Sequence, residues 1–413
     1  MMKLSSFLPK PRELPTGQIP KWIPGSTTIN EFLDWPDGAP KPKMSLGSMA
    51  MVGVDEALMV GLGMASRLRF PTPGFRQRCA DEMEDALEFF EDKGWLDNPR
   101  GYHQTPSELE KIKFKKATSR GVHYEHMSFD SGYVPHMGEA GRHRWLGYTP
   151  NHTAHCWVLR HPGPPRPWLI NIHGYRMGVP YMDLPFFHAK ALHENKGLNI
   201  LQYVLPLHGP RKIGPTSGDG VLAPGYVNLI HTEAQAMFEL RGIINWLKKE
   251  QGAPEVGVHG ISLGGYTTAM LSNLEGGLAC AIAGVPAVNL VRAARRLGQR
   301  NLLYFMDNIG MPWHDIERMT NVISPTALKP KVPAKKRYIY AGLLDRLARP
   351  EDPIDLWEHW GQPKIEWYHG NHITFPWEKT VNAFIDAALD ESFTDLKPLS
   401  GKKKTAREKP VST

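Results

Sequence analysis

Beyond residue 120 the hydrophobic pattern is one of short apolar runs separated by longer stretches with helical spacing. Val122–Phe129 alternates apolar and polar positions, as an antiparallel edge strand does, and Ala154–Arg160 follows as another strand. Trp168–Ile172, Val256–His259, Leu278–Ala283, Lys336–Gly342 and Lys364–His369 are compact runs that end in turn residues and read as further strands. Gly265–Leu271 and Glu351–Trp360 carry helical patterns between them, and the alternation continues through Leu389. Strands alternating with helices predict an α/β domain, a mostly parallel central sheet with helices on both faces.

Ahead of this region the pattern changes. Residues 1–43 are Pro-rich and irregular, an arm laid over the body or left disordered, and 44–120 read as a helical extension. Within it Met83, Ala86, Leu87 and Phe90 recur at helical spacing in Phe75–Lys93, an apolar face that must dock on something. Met44–Met64 is rich in Met, Gly, Ala and Val, but Asp55 and Glu56 interrupt it; spanning a membrane would bury that acidic pair, so a packed helix is expected and stable membrane insertion is not. The catalytic body is assigned to 121–392, with a cap-like insert at about 286–334, and a disordered basic tail to 393–413.

Charge and cysteine content narrow the partners. The formal net charge is +7, but residues 394–413 hold six Lys/Arg against two Asp/Glu, and residues 1–43 six against four. The body is close to neutral, which removes the case for a nucleic-acid surface. Three scattered cysteines, Cys79, Cys156 and Cys280, are no disulfide framework. The N-terminus breaks at Pro9 before a signal-peptide core forms, so a cytoplasmic location is the expectation; a homo-oligomer is left open.

The chemistry lies at Gly260-Ile261-Ser262-Leu263-Gly264, between the strand ending near His259 and the helix beginning near Gly265. Strand, G-x-S-x-G, helix is the nucleophile elbow, a sharp turn that lifts a serine hydroxyl above the sheet. Such a serine needs an acid and then a histidine, in that chain order. Asp345 lies on the loop after Lys336–Gly342, and His372 follows Gly370-Asn371 after the last strand. Ser262, Asp345 and His372 are therefore the catalytic candidates. His369 competes with His372 but ends its strand, where a packed histidine is the commoner case.

These motifs resemble those of the α/β-hydrolase superfamily over roughly residues 120–392. Ala341–Pro350 resembles its G-x-x-D-x-x-x-x-P acid loop, Gly370-Asn371-His372 its G-x-H loop, and His173-Gly174-Tyr175 its HG loop. The single aromatic after the HG pair resembles the esterase, dienelactone-hydrolase and acetyl-xylan-esterase-like branches. That likeness implies an oxyanion hole built from the backbone N–H groups of Leu263 and Tyr175. It implies a carboxylic ester hydrolase acting on a small ester-like substrate through an acyl-enzyme, with no cofactor. An acyltransferase, thioesterase, amidase or peptidase would share the triad, and a non-catalytic binding protein would share the fold.

Other residues rank lower. His173, Gly174, His208 and Arg211 are second-tier pocket candidates; the latter two lie on a long Gly/Pro-rich loop at a strand end. His152, His155 and His161 flank a strand without a completing carboxylate or thiolate, so no metal site is expected. Arg292, Arg295, Arg296 and Arg300 share a helical face, read as solvated, with attraction of an anionic substrate as the alternative.

Overall fold

The computed structural model describes residues 35–43, 45–67, 73–222, 226–297, 311–394 and 396. The expectations for residues 1–34 and 397–413 lie outside them. Helices α1 (Leu46–Arg67) and α2 (Pro73–Asp92) precede the sheet. Its strands are β1 (Glu110–Ser119), β2 (Val122–Asp130), β3 (Thr153–Leu159), β4 (Trp168–Ile172), β5 (Asn199–Tyr203), β6 (Val256–Ile261), β7 (Ala281–Gly284), β8 (Arg337–Gly342) and β9 (Lys364–Tyr368). Among them run α3 (Arg142–Leu146), α4 (Pro180–Phe186), α5 (Ala189–Lys196), α6 (Val227–Lys249), α7 (Leu263–Leu274), α8 (Leu290–Leu297), α9 (Trp313–Thr320) and α10 (Glu351–His359), with α11 (Lys379–Ser392) last.

The spatial order is β1-β2-β3-β5-β4-β6-β7-β8-β9. From β5 to β9 every pairing is parallel, while β1, β2 and β3 join antiparallel. Successive strand residues feed two separate apolar clusters. Ile170, Val258 and Ala283 pack with α6 and α7 on one face, and Leu169, Ile261 and Ile282 pack with α11 on the other. Helices therefore cover both faces, as the strand pattern required.

The sheet begins earlier than the pattern indicated. Glu110–Ser119, placed in the helical extension, is strand β1, so β2 is an interior strand and β1 is the edge. Ile112 and Phe114 alternate with Lys111, Lys113 and Lys115, but this period spans only five residues before Lys116 breaks it, and Phe114 is itself exposed. Lysine is the side chain that guards an exposed edge against further pairing.

The extension packs onto this body. Met83, Ala86 and Phe90 of α2 are buried in the cluster that also holds Ile243, Leu271 and Ile316, with Leu87 half-buried beside it. Glu82 pairs with Arg144, the Arg100 guanidinium donates to the Asn273 carbonyl (2.7 Å), and His103 Nε2 bonds the Val322 carbonyl (3.0 Å). Helix α1 inverts the usual polarity: Asp55 is 0% exposed while Leu46 is 87% and Met49 61% exposed. Its acidic residue is turned inward, onto the loops described next. No helix among the described residues is long and apolar enough to cross a membrane.

Candidate active site

Strand β6 delivers Ser262 to the rim of the sheet and α7 begins at the next residue. Ser262 has φ 55° and ψ −116°, a conformation that side-chain-bearing residues seldom hold and that turns its hydroxyl away from the strand. Two close approaches keep the turn. A Cβ on Gly260 would overlap the Gly264 carbonyl and the Thr268 hydroxyl, and one on Gly264 would overlap the Ile172 carbonyl of β4. Each motif glycine is thus required where helix and sheet backbones meet.

The loops after β8 and β9 are zipped together. Leu343 N–H donates to the Tyr368 carbonyl (2.9 Å) and Leu344 N–H to the Gly370 carbonyl (3.0 Å). This brings Asp345 beside His372. His372 Nδ1 lies 2.7 Å from Asp345 Oδ2, and His372 Nε2 lies 2.9 Å from Ser262 Oγ. The other Asp345 oxygen accepts the N–H groups of Leu347 (2.9 Å) and Ala348 (2.8 Å), which fixes the carboxylate. Asp345 and His372 are buried and Ser262 is half-buried. Burial alone would lower the His372 pKa; the Asp345 carboxylate, by charge and hydrogen bond, and the Asp55 charge outweigh it and hold the value above the ordinary 6.5.

The HG loop lies against the serine. A Cβ on Gly174 would stand 3.3 Å from Ser262 Cβ, so this backbone passes next to the hydroxyl's carbon. Leu263 N–H heads α7, where no intrahelical acceptor exists. His173 secures the loop from below: Leu205 N–H donates to its Nε2 (3.1 Å), leaving Nδ1–H to donate to the Gly174 carbonyl (2.8 Å). Burial lowers its pKa to about 4, so the ring is neutral.

Several candidates stand apart from this cluster. His208 is fully buried, its Nδ1 on the Pro206 carbonyl (2.9 Å), and burial with neighbouring His173 keeps its pKa far below that of a free imidazole. Its ring meets those of His173 and Tyr175 edge-on, so it supports the HG loop. Arg211 does not line a pocket. It is 0% exposed and its guanidinium is held by both oxygens of buried Glu239 (2.7 and 2.8 Å) and by the Val204 and Asn151 carbonyls. The position on a strand-end loop suggested the cleft, but the side chain turns into the core because Glu239 of α6 waits there. His369 points to the Lys43 carbonyl (2.8 Å).

Arg292 pairs with Asp352 and, at 2.7 Å, with Asp355 on α10, so it is neither a free solvated charge nor open to an anion. The side chains of Arg295 and Arg296, and all of Arg300, lie outside the described residues. His152 bonds the Leu146 carbonyl, His155 bonds His126, and His161 stacks on His193 at 3.6 Å; among the described residues no group of three metal-type side chains converges. A cavity of about 500 Å³ is lined by Tyr133, Trp145, Asn151 and Gln235 among others, and Ser262, Asp345 and His372 are not among its lining residues.

One residue at the site escaped the sequence reading. Asp55 of α1 accepts the backbone N–H groups of His372 and Arg346, both at 3.0 Å. The signal was present as an acidic pair inside an apolar helix. Its meaning, a carboxylate needing buried donors, depended on where the helix docks.

No family model matches the chain. It is 38% identical over 361 residues, 86% of this chain and 85% of the relative, to "Uncharacterized protein MT2702" of Mycobacterium tuberculosis CDC 1551 / Oshkosh. The same identity and coverage relate it to "Uncharacterized protein Rv2627c" of Mycobacterium tuberculosis H37Rv. The solved acetyl xylan esterase from Paenibacillus sp. R4 superposes with a TM-score of 0.52 at 15% identity, covering 73% of this chain and 94% of that one. With a parallel sheet entered by an antiparallel edge and a G-x-S-x-G elbow after β6, the chain has the α/β-hydrolase fold and belongs to one family with these two Mycobacterium tuberculosis proteins.

Proposed function

We propose that the protein is a serine-dependent carboxylic ester hydrolase. The observation that carries the reading is the hydrogen-bonded chain from Ser262 Oγ through His372 to Asp345, mounted on a positive-φ elbow. His372 Nε2 takes the hydroxyl proton as Ser262 Oγ attacks the ester carbonyl, and Asp345 holds the ring in the tautomer that makes this transfer. The carbonyl oxygen becomes an oxyanion bound by the N–H groups of Leu263 and Tyr175. A preorganised donor of this kind is worth about 2.7–4 kcal/mol of barrier. The tetrahedral intermediate collapses with the His372 proton passing to the leaving alkoxide, so alcohol departs and an acyl-serine remains. Water, deprotonated by His372, reverses the sequence and releases the acid.

An ester rather than an amide is favoured by the name of the Paenibacillus protein that shares the fold, an acetyl xylan esterase. The test is labelling by a fluorophosphonate with turnover of p-nitrophenyl esters of increasing chain length. Wild type should label and turn over, and Ser262→Ala should do neither while melting at the same temperature. Labelling that persists in Ser262→Ala would refute the assignment.

A further inference from the structure

Helix α1 sets a second carboxylate against the two loops that carry the acid and the base. Asp55 is 0% exposed, and a single oxygen, Oδ2, accepts N–H from His372 and from Arg346, the neighbour of Asp345 (both 3.0 Å). Adjacent turns reinforce the contact: Asn371 Nδ2 donates to the Met51 carbonyl (3.0 Å), and Arg346 Nε pairs with Glu56 (2.9 Å). Helix α1 thus grips the His372 loop and the Asp345 loop at the same time. Burying a carboxylate is costly unless donors meet it, and here two main-chain donors do. Meanwhile apolar Met49 and Val54 of the same helix stay 61% and 48% exposed. A helix that leaves apolar side chains in water to bury an aspartate is placed by the aspartate's bonds.

We infer that Asp55 is a positioning residue: through one oxygen it ties the backbone of the base loop to that of the acid loop, and so sets the reach of His372 toward Ser262. The catalytic consequence rests on the ester-hydrolase reading above; the tie between the loops does not. Facing Asp55 are Asp345 and His372 from the two loops, Arg346 with Glu56 beside it, and Tyr368 at the end of β9. Burial, then the Asp345 charge, raise the Asp55 pKa to about 6, against the lowering effect of His372 and the two N–H groups. At neutral pH its charge adds to that of Asp345 in favouring protonated His372.

The experiment compares full-length wild type, Asp55→Ala and Asp55→Asn. Because one oxygen takes both donors, the asparagine amide oxygen can replace it, whereas alanine strands two buried N–H groups. Asp55→Ala should lose backbone hydrogen-exchange protection across residues 343–348 and 370–374. Its kcat on p-nitrophenyl acetate should fall by up to roughly 100-fold with little change in KM, the cost of a misplaced base. Asp55→Asn should recover the protection and most of the lost kcat, and should move the acid limb of kcat/KM to lower pH because a charge favouring the imidazolium is gone. Wild-type protection and kcat in Asp55→Ala would overturn the inference. Should Asp55→Ala not fold, an Asp55→Asn protein with collapsed kcat and an unmoved acid limb would overturn it. Were wild type neither labelled by fluorophosphonate nor able to cleave any ester, the hydrolase reading would fail by itself, and exchange across the two loops would still decide the tie.

Discussion

His372 sets the pH response expected of this site. Two carboxylates, Asp345 in hydrogen bond and Asp55 nearby, hold its conjugate acid above the ordinary 6.5. A general base works only when neutral, so kcat/KM should rise with pH along a limb centred above 6.5 and flatten once the imidazolium has lost its proton. Asp345→Asn removes the larger of the two attractions and offers an amide where Nδ1–H needs an acceptor. The limb should move to lower pH, and kcat should fall by about 10⁴, the loss seen when a triad acid is replaced by its amide. A pH–rate profile on both proteins checks the two effects together. Arg211 makes the contrasting case, a charged side chain whose work is structural. Its partner Glu239 is fully buried and also bonds Tyr203 (2.5 Å) and Gln235 (2.8 Å). Arg211→Leu should cost about 3–5 kcal/mol by stranding that carboxylate, and adding Glu239→Leu should restore part of the loss, measured by urea denaturation.

At the scale of elements, the elbow depends on how closely α7 approaches β4. Gly264 lies where a Cβ would enter the Ile172 carbonyl, so Gly264→Ala must push helix and strand apart. The expected cost is about 1–3 kcal/mol of stability, with a loss of fluorophosphonate labelling out of proportion to it because Leu263 N–H moves with the helix. A thermal melt paired with the labelling rate separates the two. The parallel strands β4, β6, β7 and β8 were legible from their apolar runs because each is buried along its length and ends in turn residues, and the half-buried edge β9 from the run that stops before Gly370. Strand β1 was not, because its alternation of lysine with Ile112 and Phe114 spans only five residues, too short to stand out from a solvated, lysine-rich segment. Helix α2 was legible through Met83, Ala86 and Phe90. Helix α1 was legible as a helix but not in its orientation, because its apolar residues outnumber its acidic pair while the pair decides what is buried.

On the scale of the whole molecule, the N-terminal extension and the body with the α/β-hydrolase fold share one core. Met83, Ala86 and Phe90 join the cluster that contains α6, α7 and α9, β1 completes the sheet edge, and α1 reaches the loops of Asp345 and His372. A chain beginning at Val122 would lose β1, expose the face that α2 covers and leave the His372 and Asp345 loops without Asp55. It should be insoluble or strongly destabilised and, where any folds, inactive. Circular dichroism with a urea titration would show this, and a truncated protein of full stability and unchanged substrate preference would contradict it.

What the sequence determined by itself is local: the elbow, because glycine at both flanks of Ser262 is a requirement of the turn, and the order of acid and histidine, because each lies on the loop that follows its own strand. Gly370-Asn371-His372 and Leu343–Asp345 could be located as loops from the runs before them. The tertiary structure alone decided what those loops meet. Asp55 is separated from His372 by 317 positions, and Arg211 from Glu239 by 28. No periodicity links residues so far apart, and a carboxylate or guanidinium declares its role only when the fold supplies, or withholds, the buried partner it cannot do without.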